Sequence, residues 1–499
     1  MGSPTRAAAP NPRERRALPA TGCLRAAPEA VFAGEGRDFC TLSQHPSNGT
    51  PSLPQAAHEG KWPHTDIVAE PGGIAAPPAL TGASVVGGRQ CRKTAGHAAA
   101  TALVPFALIG AAQAQERPVD VPETVVEDAA VDGLRVGPGW IAYPRVSANL
   151  RYDTNIYNRT VATDDFIATV RPAVRLASDF SRHAAIIDLS AEARRYFDTS
   201  AENSEQWAAR GEGRLDMAER YTLSTVAGVA RRIERRGTLG DEFLTDRPLS
   251  YTDKEFGLTL ARKGAKLEIS ATVATRKLDY NDSTQGGLMI DQSFRDVRRD
   301  SAVIRADYRQ RQRLGFFGVF RANRLGYDLD RTRGSKGFSI LGGLRYDVTD
   351  LLRVEAGAGY VRQVSRTSGA RLISSPDFQI SAEWTPRPRV RLRLDGQRSV
   401  ERGPLPAVST VLETTLVGTG TYALGSKTLI GVEAGVIRDD FRGIVRRDTR
   451  WYVEGKASHS LTPGISAVVG AGYRRQSAFG PDSRDYHGAQ VRAGINLAF

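Results

Sequence analysis

Apolar residues in 140–499 are spaced in a way that leaves few possible folds. A sustained 3.6-residue helical period is missing there. Segments of roughly ten residues instead alternate apolar and polar side chains, as strands with two different faces do. In one such segment Phe166 and Val170 share a face, and Arg171 and Arg175 share the other. The alternation predicts an all-β structure.

The connections between these segments sort by length. About 18 segments can be marked, and connections after even-numbered segments are short, as at 347–350 and 386–388. Longer polar loops, such as 234–250 and 279–297, follow odd-numbered segments. Short periplasmic turns and long outer loops are typical of outer-membrane barrels. Since a strand edge cannot stay unpaired in lipid, we predict a closed antiparallel transmembrane β-barrel of about 18 strands at 140–499.

Two residues fit the alternation poorly. Pro172 lies in the middle of the second segment, where it is expected to cost a ladder hydrogen bond. Tyr251 is out of register with Phe256 and Leu258 in the sixth segment.

The hydropathy of the chain excludes a bundle of transmembrane helices. Hydrophobic residues make up 40% of the sequence, and no stretch holds about 18 uninterrupted apolar residues. A barrel strand turns only every second residue to lipid. A low hydrophobic content is therefore compatible with a barrel.

Aromatic residues mark both predicted rims of the barrel. Trp and Tyr favour the headgroup level of a membrane because one end of the side chain is apolar and the other is wet. The predicted girdle at the short-turn rim is Tyr308, Tyr346, Trp384 and Tyr422. The predicted girdle at the long-loop rim is Tyr152, Trp207, Trp451 and Tyr473, with Phe166, Phe197, Phe378 and Tyr486. The alternative is that these are core aromatics of a soluble β protein.

The last segment, 486–499, alternates outward through Val491, Ile495 and Leu497 and stops on Phe499. This ending resembles the C-terminal signal that the barrel assembly machinery recognises. We therefore expect that machinery to be a partner and Phe499 to be part of the assembly signal.

Residues 89–114 have the three parts of a secretory signal peptide. A basic start is followed by the apolar stretch 98–112 and by Ala112-Gln113-Ala114, an A-x-A cleavage site. An internal core helix is the alternative. The acidic, Pro-punctuated residues 115–139 that follow are predicted to be a periplasmic tail or linker.

Residues 1–88 are rich in Pro, Gly, Ala and Arg and have no periodicity. Because signal peptides begin chains, we interpret 1–88 as a disordered leader from an over-extended gene start. The three cysteines, Cys23, Cys40 and Cys91, all precede the mature chain. The predicted mature chain therefore has no cysteine, which is compatible with a protein that enters an oxidising compartment and needs no disulfides there.

The polar register of the strands predicts the residues that line the lumen. A cationic wall lowers the barrier for anionic solutes. The alternative, which we favour for most of them, is that these residues pair across neighbouring strands and hold the wall together. The predicted lumen residues are Arg171, Arg175, Arg210, Glu212, Arg214, Arg305, Arg353, Glu355, Arg391, Arg393 and Arg492.

Arginines in the predicted outer loops suggest contact with an anionic polymer. They could bridge lipopolysaccharide or an anionic polysaccharide, although solvated loop charge is the default interpretation. These loop arginines are Arg235, Arg236, Arg331, Arg333, Arg446 and Arg447.

The sequence contains no recognisable catalytic, phosphate-binding or metal-binding motif. It contains no G-x-S-x-G elbow, its Gly-rich runs lie inside predicted strands, and its histidines are scattered. We therefore expect no enzyme activity, no metal or other cofactor and no nucleic-acid partner.

The run from Arg151 to Tyr157, RYDTNIY, the many-stranded body and the terminal Phe499 together resemble a family of outer-membrane β-barrel porins. The resemblance covers about 140–499. Members of that family are often found in exopolysaccharide biosynthesis and secretion gene clusters of Gram-negative bacteria. The resemblance implies an outer-membrane location and a link to polysaccharide export components, and it carries over no catalytic residues.

Two functional hypotheses follow. The first is a water-filled pore that serves exopolysaccharide export or the passage of anionic solutes. The second is a structural or adhesive surface barrel with a plugged lumen, whose outer loops bind polysaccharide. In both, outer-membrane lipid and lipopolysaccharide surround the chain.

Overall fold

The structure is a computed structural model. The predicted leader at 1–88, the signal peptide at 89–114 and most of the linker at 115–139 lie outside the residues it describes. The described residues are 133–499 without 243–244, 367–371, 406–407 and 409.

One large antiparallel sheet dominates the structure. It contains eighteen long strands and the two-residue strand Leu134–Arg135. The long strands are β1 (Trp140–Asp153), β2 (Asp165–Ser178), β3 (Ala184–Tyr196), β4 (Ser204–Ala218), β5 (Tyr221–Ile233), β6 (Ser250–Lys263), β7 (Leu267–Tyr280), β8 (Val297–Arg309), β9 (Leu314–Tyr327), β10 (Ser335–Thr349), β11 (Leu352–Ser365), β12 (Ile373–Arg387), β13 (Val390–Arg402), β14 (Thr410–Leu424), β15 (Thr428–Arg442), β16 (Arg447–Thr462), β17 (Ile465–Phe479) and β18 (Tyr486–Ala498).

The sheet closes on itself. Each long strand pairs with the next one in the chain, and β1 pairs with β18 from Arg145 opposite Ala498 to Asp153 opposite Gln490. No long strand among the described residues therefore keeps a free edge. The predicted closed antiparallel barrel of about 18 strands is confirmed.

Between the long strands lie a few short elements. The described residues include three 3-10 helices, Ser200–Glu202, Ser293–Arg295 and Arg331–Arg333. A small hairpin, Ser283–Gln285 with Leu288–Ile290, lies in the loop between β7 and β8. None of the helices in the described part of the chain could cross a membrane.

The two faces of the sheet differ as the alternation predicts. In the middle of the strands, large apolar side chains such as Ile340 and Val432 are exposed on the outer face, whereas charged side chains such as Glu433 occupy the other register. Exposed apolar residues in every second position are expected where a barrel faces lipid. With the exception of Tyr486, the predicted girdle residues at both rims lie in this outward register, and their position at the membrane surface remains a prediction.

Tyr486 is a correction to the upper rim. Its side chain is only 4% exposed, and its hydroxyl donates a hydrogen bond to the carbonyl of Gly237. It opens β18 opposite Gln476, in the register of the inner face. A tyrosine at a strand end is compatible with either face, so its position in the sequence did not decide the register.

Pro172 and Tyr251, which fit the alternation poorly, both have a place in the barrel. The pairing of β2 with β3 skips Arg171 and Pro172 between Val170 and Ala173, so the ladder is interrupted where the proline lies. Tyr251 turns inward and stacks on Tyr280 with ring centroids 5.0 Å apart.

The outward face can be tested with a single charge. Val432 is half exposed on the outer face of β15, and Val432→Arg should destabilise the barrel by about 2–4 kcal/mol because a cation there would face hydrocarbon. Thr419→Arg is the matched control, since Thr419 lies in the inward register opposite Glu433. Urea unfolding in lipid vesicles measures both. Equal effects of the two variants would contradict the assignment of faces.

Candidate functional site

The lumen wall is the first part of the candidate site. Eight of the nine predicted lumen arginines form ion pairs, whereas Arg391 is exposed and has no ion pair with a described residue. The pairs are Arg171–Glu192, Arg175–Asp188, Arg210 with Glu212 and Glu255, Arg214–Asp216, Arg305 with Asp307 and Glu355, Arg353–Asp347, Arg393–Asp395 and Arg492–Glu454. The contacts are those expected if pairing holds the wall together.

Glu192 on β3 is a hub of this wall. Its carboxylate accepts hydrogen bonds from Nε of Arg171 at 2.8 Å and Nε of Arg194 at 2.7 Å. Nε2 of Gln206 donates a third at 2.9 Å, and Arg235 lies 3.8 Å away. The Glu192 side chain is 4% exposed. One buried carboxylate thus offsets three arginines from different parts of the chain.

A loop bridges the long-loop mouth of the barrel. Residues 234–249 connect β5 to β6, and we call them the crossing loop. Within it, Glu242 accepts hydrogen bonds from Nη1 and Nη2 of Arg446 at 2.9 and 3.0 Å. Arg446 lies between β15 and β16, which are close to diametrically opposite β5 and β6 in a ring of eighteen strands. The crossing loop therefore reaches from one wall to the other.

Arg236 anchors the near end of the crossing loop. Its guanidinium donates to Glu202 at 2.7 Å, to the carbonyl of Thr245 at 2.8 Å and to Asp241 at 3.3 Å. The side chain is 6% exposed. Burial acts against the charge, but the hydrogen bonds to Glu202 and the attraction of Asp241 outweigh it and raise the pKa of Arg236. The anchor stays charged at all accessible pH values.

Further contacts fix the middle of the crossing loop against the far wall. The carbonyl of Gly237 accepts hydrogen bonds from Arg450 and Tyr486, each at 3.4 Å. Leu239 packs in an apolar cluster with residues from the opposite side of the mouth, Val408, Val411 and Phe441. The loop is held by apolar packing as well as by charge.

The crossing loop is also tied to the neighbouring hairpin. Asp246 accepts hydrogen bonds from the backbone N–H groups of Gly286 at 2.8 Å and Gly287 at 3.0 Å. Both glycines have positive φ, 59° and 78°, as a tight two-residue turn requires. These N–H groups hold the pKa of Asp246 below its usual value.

This contact should depend on pH. A lowered pKa stabilises the folded loop above about pH 4, and the stabilisation is lost as the pH falls through the lowered pKa. We expect Asp246→Asn at pH 7 to speed hydrogen exchange at the amides of Gly286 and Gly287, and acidification of the unmodified chain to do the same. Asp282→Asn, on the loop between β7 and β8 that carries the two glycines, is the control. Unchanged exchange in Asp246→Asn would show that the carboxylate does not hold the turn.

A small cavity of about 60 Å³ lies between the crossing loop and the wall. A space of this size holds a few water molecules or one small anion. Its charged lining has six arginines and three carboxylates, namely Arg151, Arg194, Arg235, Arg236, Arg450 and Arg474 with Asp153, Glu202 and Glu234. The lining alone therefore carries an excess of positive charge.

Other outer loops pack on one another beside the crossing loop. Arg333 donates hydrogen bonds to the carbonyls of Phe294 at 2.6 Å and Leu405 at 3.1 Å. Its guanidinium lies 4.3 Å from the ring centroid of Tyr327, and Arg295 lies equally close to Tyr280. Three loops thus meet over the lumen through arginine contacts.

Most of the loop arginines are used inside the protein. Arg236, Arg333 and Arg446 are buried in the contacts above, and Arg235 is mostly buried near Glu192. For these four, the default interpretation of solvated loop charge is wrong, and their side chains are not exposed to an external polymer, because the loops fold inward and pair the charge within the protein. Of the two others, Arg331 is exposed, and Arg447 is paired with Asp440 on the outer face.

The described residues contain no group of three or more His, Cys, Asp or Glu side chains placed to hold a metal ion. At the end of the chain, Phe499 donates its N–H to the carbonyl of Pro144 at 3.0 Å and leaves its side chain exposed. An assembly role for Phe499 remains a prediction.

Comparison with known proteins gives one family. The family model described as "Putative beta-barrel porin 2" matches residues 129–499. No curated protein matches the chain in sequence.

Among solved structures, the chain is similar to three from Pseudomonas aeruginosa. They are a mutant of the ferric enterobactin receptor PfeA (6% identity, TM-score 0.42, 72% of this chain and 80% of that one), the outer membrane protein opdK (12%, 0.40, 72% and 99%) and OccK3, also named OpdO (11%, 0.40, 72% and 96%).

Proposed function

Because the chain belongs to the putative beta-barrel porin 2 family, we propose that its barrel is a water-filled pore for anionic solutes in the outer membrane of a Gram-negative bacterium. The chain is a porin-like β-barrel of the outer-membrane type. The crossing loop would set the narrowest point of the pore.

The observation that carries this proposal is a gradient of exposure along the inner face. Near the short-turn end, the side chains of Arg353 and Arg393 are 61% and 57% exposed. Near the crossing loop, those of Arg450 and Arg474 are each only 7% exposed. The lumen is thus accessible from the short-turn side and constricted at the long-loop side.

Charge supports an anionic solute. The lining of the cavity beside the crossing loop has six arginines and three carboxylates, and Glu192, Asp241 and Asp439, which pair with four of these arginines, lie outside the lining. The cavity therefore presents its arginines to a solute, with part of their counter-charge behind them. A cationic constriction lowers the barrier for anions and raises it for cations. Passage of a carboxylated exopolysaccharide strand, handed over by polysaccharide export components, is the wider form of this proposal and needs the crossing loop to move aside.

A second candidate is a plugged surface barrel whose outer loops bind polysaccharide. The packing of Arg333 on Phe294 and Leu405 favours it, because loops that lock one another can keep the mouth shut.

Single-channel recording in planar bilayers separates the two functions. The pore predicts steady conductance, and a reversal potential in a potassium chloride gradient that favours chloride. Arg391→Gln, at the accessible short-turn end, is a control expected to change the selectivity little. A silent barrel that binds polysaccharide tightly would favour the second candidate instead.

A further inference from the structure

Basic side chains form a belt on the outer face of the barrel. Each of the six consecutive strands β6 to β11 carries one near its long-loop end, in the outward register. For example, Lys336 lies two residues from the exposed Phe338, and Arg362 lies two residues from the exposed Tyr360. We call this set the basic belt: Lys254, Lys277, Arg298, Arg324, Lys336 and Arg362.

Neighbours in the basic belt have like charge. Lys254 stands directly opposite Lys277, Lys277 opposite Arg298, and Arg324 opposite Lys336 in the strand pairing. Like charges directly opposite on one face of a sheet destabilise it. An external anion that bridges the pairs would remove this cost.

The carboxylates near the basic belt balance only part of it. Lys254 lies 3.3 Å from Asp279, and Lys277 lies 2.8 Å from the same carboxylate. Asp328 adds a contact to Lys277, and Asp300 pairs with Arg298. Arg324, Lys336 and Arg362 have no ion pair with a described residue; Asp300, which already pairs with Arg298, stands opposite Arg324 and attracts it over a longer distance. The unbalanced charge is therefore concentrated on β9, β10 and β11.

Below these three cations the wall is apolar and aromatic. Phe320 and Phe338 stack with ring centroids 6.3 Å apart, and Ile340 and Tyr360 are exposed beside them. A ligand that fits here has several negative charges directly above hydrocarbon. Long loops lie outside the cell in outer-membrane barrels, so the ligand belongs to the outer leaflet.

We propose that the basic belt binds the phosphorylated glycolipid of the outer leaflet. Arg324, Lys336 and Arg362 bind its sugar phosphates, and the aromatic wall below them packs against its acyl chains. Arginine and lysine are the residues that bind phosphate through charge-assisted hydrogen bonds. The proposed site for anionic lipid thus lies at the strand ends, whereas the arginines of the inward-folded loops bind carboxylates and carbonyls within the protein.

Native mass spectrometry can test the site on protein extracted from outer membranes and delipidated in detergent. The probes are the purified bisphosphorylated glycolipid and the same lipid after enzymatic removal of both phosphates. We expect the triple variant R324Q, K336Q and R362Q to bind the bisphosphorylated lipid about tenfold more weakly, from three exposed ion contacts. Removal of the phosphates should weaken binding to the unmodified chain by a similar factor.

The matched control replaces three exposed cations at the short-turn end, Lys266→Gln, Arg309→Gln and Arg311→Gln, and should change binding less than about twofold. Equal binding of the two lipids by the unmodified chain would overturn the proposal, and so would a triple variant that binds like the control. If the triple variant does not assemble, the comparison of the two lipids still decides. Because the assay measures lipid binding and records no current, a negative result would contradict the lipid site without testing the pore proposal.

Discussion

Replacing Arg236 with alanine is expected to release the crossing loop and raise single-channel conductance several-fold. The guanidinium holds Glu202, Asp241 and Thr245 together at the near end of the loop. Removing it leaves two buried carboxylates without this partner, which should disfavour the folded-in loop by about 3–5 kcal/mol. A loop that leaves the lumen widens its narrowest point.

Planar-bilayer recording measures this effect, and the crossing loop supplies its own control. Arg247 is exposed in the same loop, so Arg247→Ala should leave the conductance unchanged. Arg446→Ala removes the contact of Glu242 with the far wall and should act in the same direction as Arg236→Ala. If both variants assemble and conduct like the unmodified chain, the crossing loop is not the constriction.

The strands were predictable because lipid dictates their pattern. A residue facing hydrocarbon must be apolar and its neighbours need not be, so the period of two is visible wherever a strand crosses the membrane. The pattern fades where strands rise above the membrane. The segment predicted at 450–457 is longer in the structure, where the strand is Arg447–Thr462. The added residues at both ends are largely polar, for example Asp448 at the start and Ser460 at the end. At these strand ends the backbone pairing continues, but no side chain has to face lipid, so the sequence does not show the alternation.

Pairing in the lumen wall was partly predictable, since it joins neighbouring strands of known order. Arg175 and Asp188, for instance, lie directly opposite each other on β2 and β3. The crossing loop was not predictable, because its contacts are set by the closed ring. Glu242 and Arg446 are 204 residues apart, and only a barrel of this circumference brings them together. A loop arginine that faces solvent and one that clamps a buried carboxylate look the same in sequence.

The lumen arginines can still act on solutes as well as hold the wall, and Glu192 distinguishes these roles. Glu192→Ala removes the carboxylate shared by Arg171, Arg194 and Arg235. We expect it to destabilise the barrel by about 3–5 kcal/mol, because three partly buried cations lose their counter-charge. The same uncompensated charge should shift the reversal potential further toward chloride.

Urea unfolding in vesicles and reversal potentials in planar bilayers measure the two effects of Glu192→Ala separately. Glu205→Ala is the matched control, since Glu205 pairs with Arg195 outside the lumen and its side chain is 67% exposed. It should cost less than about 1 kcal/mol and leave selectivity unchanged. Stability lost without a change in selectivity would assign the arginines around Glu192 to the wall alone. Selectivity that shifts toward chloride would show that permeating ions experience their charge.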